Sequence, residues 1–389
     1  MREEPEIRVG IITAGKPEVT PTAEGVLVSN LLIGAGFHWQ QSIPAHLPGR
    51  IEEIEEGKQI VNIVPMEKYL EAVIGSEMNA DAPIEFLKAH AVISRSWAMR
   101  KLHPECERER KEASEGACHR ESEKEGSEGK GIIIDPSGEI EIRRWEESDS
   151  HHGFDVCSDD HCQRYQGLPD GGDVRTSEAI EATRGEVLLD RQGEIADARF
   201  SKCCGGVTEH FSSCWRDEDF DYLPGQKDDW CDLSDMPEGE REQFLRSILK
   251  GYDQSTRDYH DWSATIRKSD IAANVRRQYN LDLGNVLDIH PLERGISGRI
   301  TRLRIEGDKN SITIGKELAI RRLLSEKCLY SSWFDVENHG EGFILRGHGW
   351  GHGAGLCQIG AARMAYAGKD YREILRFYYP GTEIRKIYT

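Results

Sequence analysis

The sequence has no hydrophobic run long enough to cross a membrane, so no transmembrane segment is expected in it. Its first residues, MREEP, lack the basic and apolar regions of a signal peptide. Basic residues are also in deficit, since 50 Lys and Arg stand against 69 Asp and Glu, a formal net charge of −19. Such an acidic chain is not expected to bind nucleic acid, or to hold an anionic polymer through general charge attraction. There is also no internal repeat, phosphate-binding loop or dinucleotide fingerprint.

The pattern of apolar residues predicts an α+β fold with mixed strands and a packed helix pair. Residues 1–65 contain short strand patterns, and residues 66–101 contain two amphipathic helix patterns joined by a short connection. Further strands are predicted within residues 176–210, around an Arg-Gly turn. Because strands and helices fall in different parts of the chain, the helices are expected to be segregated from the sheets.

At 389 residues the chain can bury a large core. We interpret residues 1–389 as one catalytic region that carries two insertions. Residues 103–130 are dense in Glu, Lys, Arg and Ser, which predicts a charged, flexible insertion. Residues 232–295 contain helical patterns and are predicted to be a helical insertion.

Ten cysteines are many for a cytosolic enzyme, but they do not form an evenly spaced framework. Cys106 and Cys118 flank the charged insertion, and Cys214 and Cys231 flank another loop. Disulfides at these two places are compatible with an oxidising compartment, but spacing alone does not establish them.

The first helix pattern carries an acidic residue on its apolar stripe. Leu70, Val73, Ile74, Glu77 and Met78 follow the spacing i, i+3, i+4, i+7 and i+8. A buried glutamate has a raised pKa, because burial disfavours its charged form, and it can then hold a proton near neutral pH. This property suits a general acid. The alternative is a glutamate at the rim of the helix, held in a salt bridge.

The second helix pattern is predicted to begin at Pro83 and to pack antiparallel to the first. Arg95 lies on its inner side, four residues after Ala91. Two roles for Arg95 compete. It either pairs with Glu77, which would lower the pKa of the glutamate, or it binds substrate.

The densest cluster of glycines is residues 347–361, which read GHGWGHGAGLCQIGA. Glycine at this density suits backbone that approaches a ligand closely or turns sharply. His348, Trp350 and His352 would project from this loop with little bulk around them. A tight turn between a strand and a helix is the alternative interpretation.

A third group of residues has the chemistry of metal ligands. Two cysteines and three histidines lie within twelve residues of the chain, at positions 151–162. Zinc takes Cys and His at tetrahedral sites, and we predict a zinc ion, structural or near the active site, bound by His151, Cys157, His161 and Cys162. His152 is the alternate ligand. The alternative is a disulfide between the two cysteines, or free thiols.

Several of these segments resemble the SpoIID/LytB family of stage II sporulation protein D and amidase-enhancer proteins. The resemblance is carried by residues 69–78 (YLEAVIGSEM), 83–97 (PIEFLKAHAVISRSW) and 349–358 (GWGHGAGLCQ). It implies a peptidoglycan lytic transglycosylase with Glu77 as its catalytic acid. It also implies a split active-site cleft between the N-terminal helices and the C-terminal glycine-rich segment, and a zinc ion near the site in some members.

From the resemblance and the residue chemistry together, we expect glycan strands to be bound by a set of polar and aromatic side chains, namely Arg95, Lys202, His348, Trp350, His352 and Gln358. The chain departs from the family pattern at Ser201, where a histidine is common, and at Lys202 and Cys204, where small hydroxyl residues are common. Cys203 and Cys204 could bridge each other only with strain, so Cys204 is expected to be a small packed residue.

The resemblance also implies partners and a location. Peptidoglycan glycan strands are the expected substrate, and a wall amidase is a further candidate partner. The protein is expected to be exported to the cell envelope, with its signal segment absent from this chain. Two other functions stay open: a non-catalytic cell-wall-binding amidase enhancer, and a zinc-dependent wall hydrolase that acts through residues 151–162.

Overall fold

The structure is a computed structural model that describes residues 3–37, 40–54, 59–102, 130–134, 140–145, 151, 153–168, 173–254 and 260–389. Residues 103–129 of the predicted charged insertion, which include Cys106 and Cys118, lie outside the described residues. His152 also lies outside them. Within the described ranges, no helix combines the length and the apolar character needed to cross a membrane.

The described residues form an α+β fold, as the sequence predicted. The helices are α1 (Met66–Glu77), α2 (Ile84–Lys101), α3 (Val174–Ala182), α4 (Glu238–Ile248), α5 (Gly251–Gln254), α6 (Lys268–Tyr279), α7 (Glu317–Leu324), α8 (Gln358–Tyr366) and α9 (Tyr371–Tyr378). The strands are β1 (Glu6–Ile11), β2 (Val19–Thr22), β3 (Gly25–Ile33), β4 (Gln41–Pro48), β5 (Arg50–Ile54), β6 (Gln59–Pro65), β7 (Lys130–Ile134), β8 (Ile140–Arg144), β9 (Val156–Cys157), β10 (Glu186–Leu189), β11 (Phe200–Ser201), β12 (Asp261–Arg267), β13 (Val286–Arg294), β14 (Ile300–Gly307), β15 (Ser311–Gly315), β16 (Phe334–His339), β17 (Gly342–His348), β18 (Leu356–Cys357) and β19 (Glu383–Lys386).

The strands form several small sheets rather than one large one. The orders are β5-β6-β1-β9, β2-β3-β4, β13-β14-β15-β8-β7 and β12-β17-β16, with two-stranded pairs β10-β19 and β11-β18. β7 pairs antiparallel with β8. Two pairings matter for the site. β9 runs parallel to β1, and β11 runs parallel to β18, which brings Ser201 beside Cys357.

The helix pair α1 and α2 lies in the larger of two hydrophobic clusters among the described residues. Pro65 and Pro83 stand at the N-terminal boundaries of the two helices, where a missing N–H costs nothing. The apolar stripe of α1, which includes Tyr69, Leu70 and Val73, is fully buried. Burial of each such side chain contributes about 1.5–3 kcal/mol, and this burial holds α1 rigidly against the body of the protein.

The second hydrophobic cluster joins the C-terminal sheets to helices α6 and α7. Residues 232–295, predicted as a helical insertion, contain α4, α5 and α6 but also the strands β12 and β13. Each of these strands pairs with a later part of the chain, β12 with β17 and β13 with β14. The segment is therefore mixed rather than helical, because its strands complete sheets formed mainly by residues 300–348.

The strands predicted within residues 176–210 are present in the later part of that range. Residues 176–182 belong to the helix α3, and only the later strands β10 and β11 are present. The side chain of Asp173 accepts hydrogen bonds from the N–H groups of Arg175 and Thr176, which caps the helix. Thr176, Ala179 and Ile180 then form its buried face at helical spacing.

Candidate active site

A cavity connects the C-terminal end of α1 with the glycine-rich segment before α8. Its lining combines residues that are far apart in the chain, including Glu77, Arg164, Lys202, Trp350, His352 and Gln358. The parallel pair β11 and β18 positions Lys202, which follows β11, and Gln358, which follows β18. Rigid helices and strands thus hold most of these side chains, and the glycine-rich loop holds the rest.

Glu77 is the last residue of α1, and only 7% of it is exposed. Its Oε1 accepts a hydrogen bond of 3.3 Å from the backbone N–H of Arg164, and its Oε2 lies 3.9 Å from Arg164 Nε. Burial raises the pKa of Glu77, and the positive charges of Arg164 and Lys202 oppose this shift without cancelling it. The carboxyl group therefore holds a proton to higher pH than an ordinary glutamate.

The cations beside Glu77 are held by other carboxylates. Lys202 Nζ donates to the backbone carbonyl of Glu77 at 3.2 Å and lies 3.1 Å from Asp253 Oδ2. Arg164 Nε lies 2.6 Å from Asp160, and Arg164 Nη1 lies 3.4 Å from Asp253. Burial acts to raise the pKa of Asp253, but the charges of Lys202 and Arg164 outweigh it, and the pKa is lowered. Asp253 thus remains charged where Glu77 is protonated.

The glycine-rich segment folds back on the protein's own backbone. Gly353 and Gly355 have φ angles of 78° and 73°, which side-chain-bearing residues rarely adopt. A Cβ at Gly355 would lie 2.0 Å from the carbonyl oxygen of Arg199, and one at Gly353 would lie 2.5 Å from the guanidinium of Arg299. The close approach predicted from the glycines is therefore made at these two positions to the chain itself.

His352 lines the cavity, and its ring is bound by backbone groups. Its Nδ1 accepts a hydrogen bond of 3.0 Å from the N–H of Ala354, and the ring forms a backbone hydrogen bond with Phe200. Its edge packs on the Trp215 ring, with centroids 4.8 Å apart. Burial, aided by nearby arginines, lowers the pKa of His352 to about 3. The imidazole is therefore neutral, and its hydrogen bonds favour a role in holding the loop.

We expect His352→Ala to lower the melting temperature by about 5–10 °C. The change removes a packed ring and its backbone hydrogen bonds, a loss of about 2–3 kcal/mol, at about 2–4 °C for each kcal/mol. His348→Ala is the matched control. His348 lies in the same segment but outside the cavity lining, and its Nδ1 lies 2.6 Å from Asp261 Oδ1. Thermal unfolding is to be measured for both variants. A His352→Ala protein that melts at the wild-type temperature would contradict this role in holding the loop.

Gln358 belongs to a buried polar chain behind the cavity wall. Its Nε2 lies 2.9 Å from His90 Nε2, and His90 Nδ1 lies 3.1 Å from Ser94 Oγ. Burial, with the charge of Lys202, lowers the pKa of His90 to about 3, so the ring is neutral. A neutral His90 that accepts from Gln358 carries its proton on Nδ1, facing Ser94. These hydrogen bonds connect α8 to α2 and fix the Gln358 side chain.

The predicted metal ligands come together at the loop that follows β9. One ligand atom from each of His151, Cys157, His161 and Cys162 lies within 4.8 Å of all the others. Cys162 Sγ is 3.2 Å from His151 Nε2 and 3.5 Å from His161 Nδ1, and both cysteines are free thiols. Zinc bonds of about 2.0–2.3 Å to nitrogen and sulfur would fit among these atoms with small adjustments. The four residues can hold a metal ion.

This metal-ligand loop is adjacent to the acidic group. His161 and Cys162 line the cavity, and two residues later the N–H of Arg164 donates to Glu77. The N–H of Cys157 in turn donates to Cys162 Sγ at 3.4 Å. An ion at this loop would fix the backbone that contacts Glu77.

Comparison with known proteins finds a family profile and several relatives that match this chain. The profile of the family described as Stage II sporulation protein matches residues 55–189, and a domain of unknown function, DUF8618, matches residues 209–355. The chain is 24% identical over 338 residues to stage II sporulation protein D of Bacillus subtilis strain 168, covering 87% of this chain and 79% of that protein. The matched profile and the named relatives support the resemblance to the SpoIID/LytB family.

Two other relatives of this chain extend the comparison. An uncharacterized protein of Brachyspira hyodysenteriae is 27% identical over 333 residues, which cover 84% of this chain and 68% of that protein. The amidase enhancer of Bacillus subtilis strain 168 is 24% identical over 233 residues, which cover 54% of this chain and only 32% of that protein.

Two residues predicted to bind substrate lie outside the cavity lining. Arg95 is fully buried and forms a 2.6 Å ion pair with Glu67 near the start of α1. Because α1 and α2 are antiparallel, the late part of α2 meets the beginning of α1 and cannot reach Glu77 at its end. His348 closes strand β17 and pairs with Asp261 of β12, so it faces away from the cavity lining.

Sequence reasoning missed Arg164, which contacts Glu77, and Asp253, which pairs with Arg164 and Lys202. Arg164 could have been found from its position two residues after the metal-ligand pattern. Asp253 lies in the short helix α5, in a polar stretch where nothing singles it out. Ser201, which stands where SpoIID/LytB proteins commonly have histidine, lines the cavity, and among the described residues its buried Oγ has no hydrogen-bond partner.

Proposed function

We propose that this protein is a lytic transglycosylase that cleaves peptidoglycan glycan strands, with Glu77 as its general acid and base. The observation that carries the proposal is the buried Glu77 carboxyl group in the cavity, whose pKa is raised by burial. A carboxylic acid that keeps its proton near neutral pH can deliver it to a glycosidic oxygen.

The reaction needs one such group. Glu77 would protonate the glycosidic oxygen as the C1–O bond breaks, and the leaving sugar would depart as an alcohol. The Glu77 carboxylate would then accept the proton of the substrate's own 6-hydroxyl, whose oxygen bonds to C1 and forms the 1,6-anhydro end. Arg164 and Lys202 would stabilise the carboxylate between the two transfers by their positive charges.

The other acidic residues of the cavity support this one-carboxylate scheme. Asp160 is paired with Arg164 at 2.6 Å, and Glu317 is paired with Arg321 at 3.1 Å. Ordinary glycoside hydrolysis uses a second carboxylate to activate water or attack the sugar. Carboxylates held by guanidinium groups are poor candidates for that role, whereas an internal 6-hydroxyl requires no activated water.

We also propose that His151, Cys157, His161 and Cys162 bind zinc in a structural role. Four protein ligands close a tetrahedral site, whereas a catalytic zinc keeps a position open for water. This closed ligand set favours the transglycosylase over a zinc-dependent wall hydrolase.

A second candidate is a non-catalytic, wall-binding protein that stimulates an amidase. The match to a protein named amidase enhancer supports it. In that case a wall amidase would be the partner, and the cavity would hold glycan without cleaving it. Either function requires export to the cell envelope, which we propose as the location.

Digestion of purified glycan strands separates the two candidates. We expect the protein alone to produce fragments with 1,6-anhydro ends, detected by mass spectrometry as products 18 mass units lighter than hydrolysis products, the mass of one water. Strands with and without stem peptides should be compared, since the requirement for peptide removal is open. Binding to strands without any cleavage, together with stimulation of an added amidase, would favour the enhancer.

A further inference from the structure

A second group of cysteines lies outside both the cavity chemistry and the metal-ligand loop. Cys203 and Cys204 follow β11, Cys231 lies in the loop before α4, and Cys357 ends β18. All four are free thiols that are at most 1% exposed. Three segments within residues 203–357 thus bring four sulfur atoms into one buried place. Cys204, expected to be a simple packed residue, is one of them.

The spacing of these sulfur atoms suits one metal ion. Cys231 Sγ lies 3.3 Å from Cys203 Sγ and 3.5 Å from Cys357 Sγ. These distances exceed the bond of about 2.05 Å in a disulfide. They are close to the separation of about 3.8 Å between sulfurs on a tetrahedral zinc ion with bonds of about 2.3 Å. Sulfur atoms this close leave room for a single ion and not for a cluster of several irons.

A carboxylate completes the group. One ligand atom each from Cys204, Asp228, Cys231 and Cys357 lies within 4.8 Å of all the others. Asp228 Oδ2 is 3.3 Å from Cys204 Sγ and accepts a 2.8 Å hydrogen bond from the Tyr378 hydroxyl. Hydrogen bonds of this kind orient a ligating carboxylate.

Backbone N–H groups point at the sulfur atoms. Cys357 Sγ accepts from the N–H of Cys204 at 3.3 Å and from the N–H of Gly360 at 3.4 Å. The second contact makes Cys357 the N-terminal cap of α8, where the helix dipole favours a negative charge. The N–H of Gly206 donates to Cys204 Sγ at 3.4 Å. Such donors stabilise thiolates, the form in which cysteine binds metal.

We propose that Cys204, Asp228, Cys231 and Cys357 form a second metal site, which takes one zinc-like divalent ion. Three thiolates select a thiophilic ion over magnesium or calcium. Cys203 lies beside this site, and a separate cavity lined by Cys203 and Cys231 gives the ion a route inward. The inference does not depend on the proposed enzymatic activity.

The position of the site indicates what the ion would do. Cys204 lies two residues after Lys202, and Cys357 directly precedes Gln358, so the ligands flank two residues of the active-site cavity. β11 and β18 are each only two residues long, and backbone hydrogen bonds alone hold so short a pair weakly. The ion would link Asp228 to the strand pair β11 and β18, and would thereby fix one wall of the cavity.

Elemental analysis of the full chain, purified without chelator and under mild reduction, tests the proposal. We expect about two zinc ions per chain in the wild type, and one in Cys231→Ser with Cys357→Ser. Cys157→Ser with Cys162→Ser should also retain one, and Cys328→Ser, outside both clusters, should retain two. Unchanged zinc in the Cys231 and Cys357 double variant would overturn the proposal.

A second measurement covers the case in which that double variant fails to fold. Cobalt loaded into the Cys157→Ser and Cys162→Ser protein should show the strong thiolate-to-cobalt absorption of a site with several sulfurs, because the second cluster is intact there. Absence of this absorption would contradict the site. So would a Cys203–Cys231 or Cys231–Cys357 disulfide, found by mass spectrometry of protein alkylated without reduction.

Discussion

Glu77→Gln is expected to lower turnover on purified glycan strands at least about a hundredfold, the usual range for loss of a general acid and base. The amide keeps the size and the hydrogen-bonding position of the carboxyl group beside Arg164, but it cannot donate a proton to the glycosidic oxygen. The fold should persist, since the change also removes a buried ionisable group. The rate of formation of anhydro ends is the measurement, with thermal unfolding as the check on folding.

Glu71→Gln is the matched control. Glu71 lies on the same helix α1 but outside the cavity lining, and its Oε2 lies 2.8 Å from Lys68 Nζ. The Glu71→Gln variant should therefore cleave normally. The pH dependence gives a further check. Because burial raises the pKa of Glu77, the wild-type rate should persist above the usual glutamate range and fall as rising pH removes the proton. Normal cleavage by a folded Glu77→Gln protein would refute the proposed mechanism.

Cys157→Ser with Cys162→Ser should remove one zinc ion per chain and lower the melting temperature by about 10 °C or more, since a structural zinc contributes several kcal/mol to folding. Cleavage should fall as well, because the loop that carries the Arg164 N–H to Glu77 loses its anchor. Zinc content, thermal unfolding and cleavage are to be compared with Cys328→Ser, whose thiol belongs to neither cluster. A zinc-free wild type with a Cys157–Cys162 disulfide would contradict this expectation.

The helix pair illustrates what local sequence pattern can predict. The apolar spacing that includes Leu70 and Glu77 fixes both the existence of α1 and the face on which Glu77 lies. The distance between Arg95 and Glu77 follows from the antiparallel packing, because Arg95 lies eleven residues after the first residue of α2, roughly 16 Å along the helix axis from the end of α1. Arg95 therefore meets Glu67, at the opposite end of the helix from Glu77.

Residues brought together by distant pairings were harder to predict. The histidine and cysteine ligands of residues 151–162 are close in sequence, so their assembly follows from one loop. Cys204, Cys231 and Cys357 are separated by long segments, and only the pairing of β11 with β18 places two of them together. Asp253 reaches Lys202 through a four-residue helix whose location no local pattern indicates.

The wide separation of the cavity residues affects the protein while it is being made. Glu77 is synthesised early, but Trp350 and Gln358 on the same cavity come more than 270 residues later. A ribosome adds about 5–20 residues each second, so a nascent chain carries its acidic group for many seconds before the opposing wall exists. A fragment that stopped before β18 would also lack the partner strand of β11. A partly made or truncated chain would therefore lack one wall of the cavity, which can form only after residues 350–358 have been synthesised.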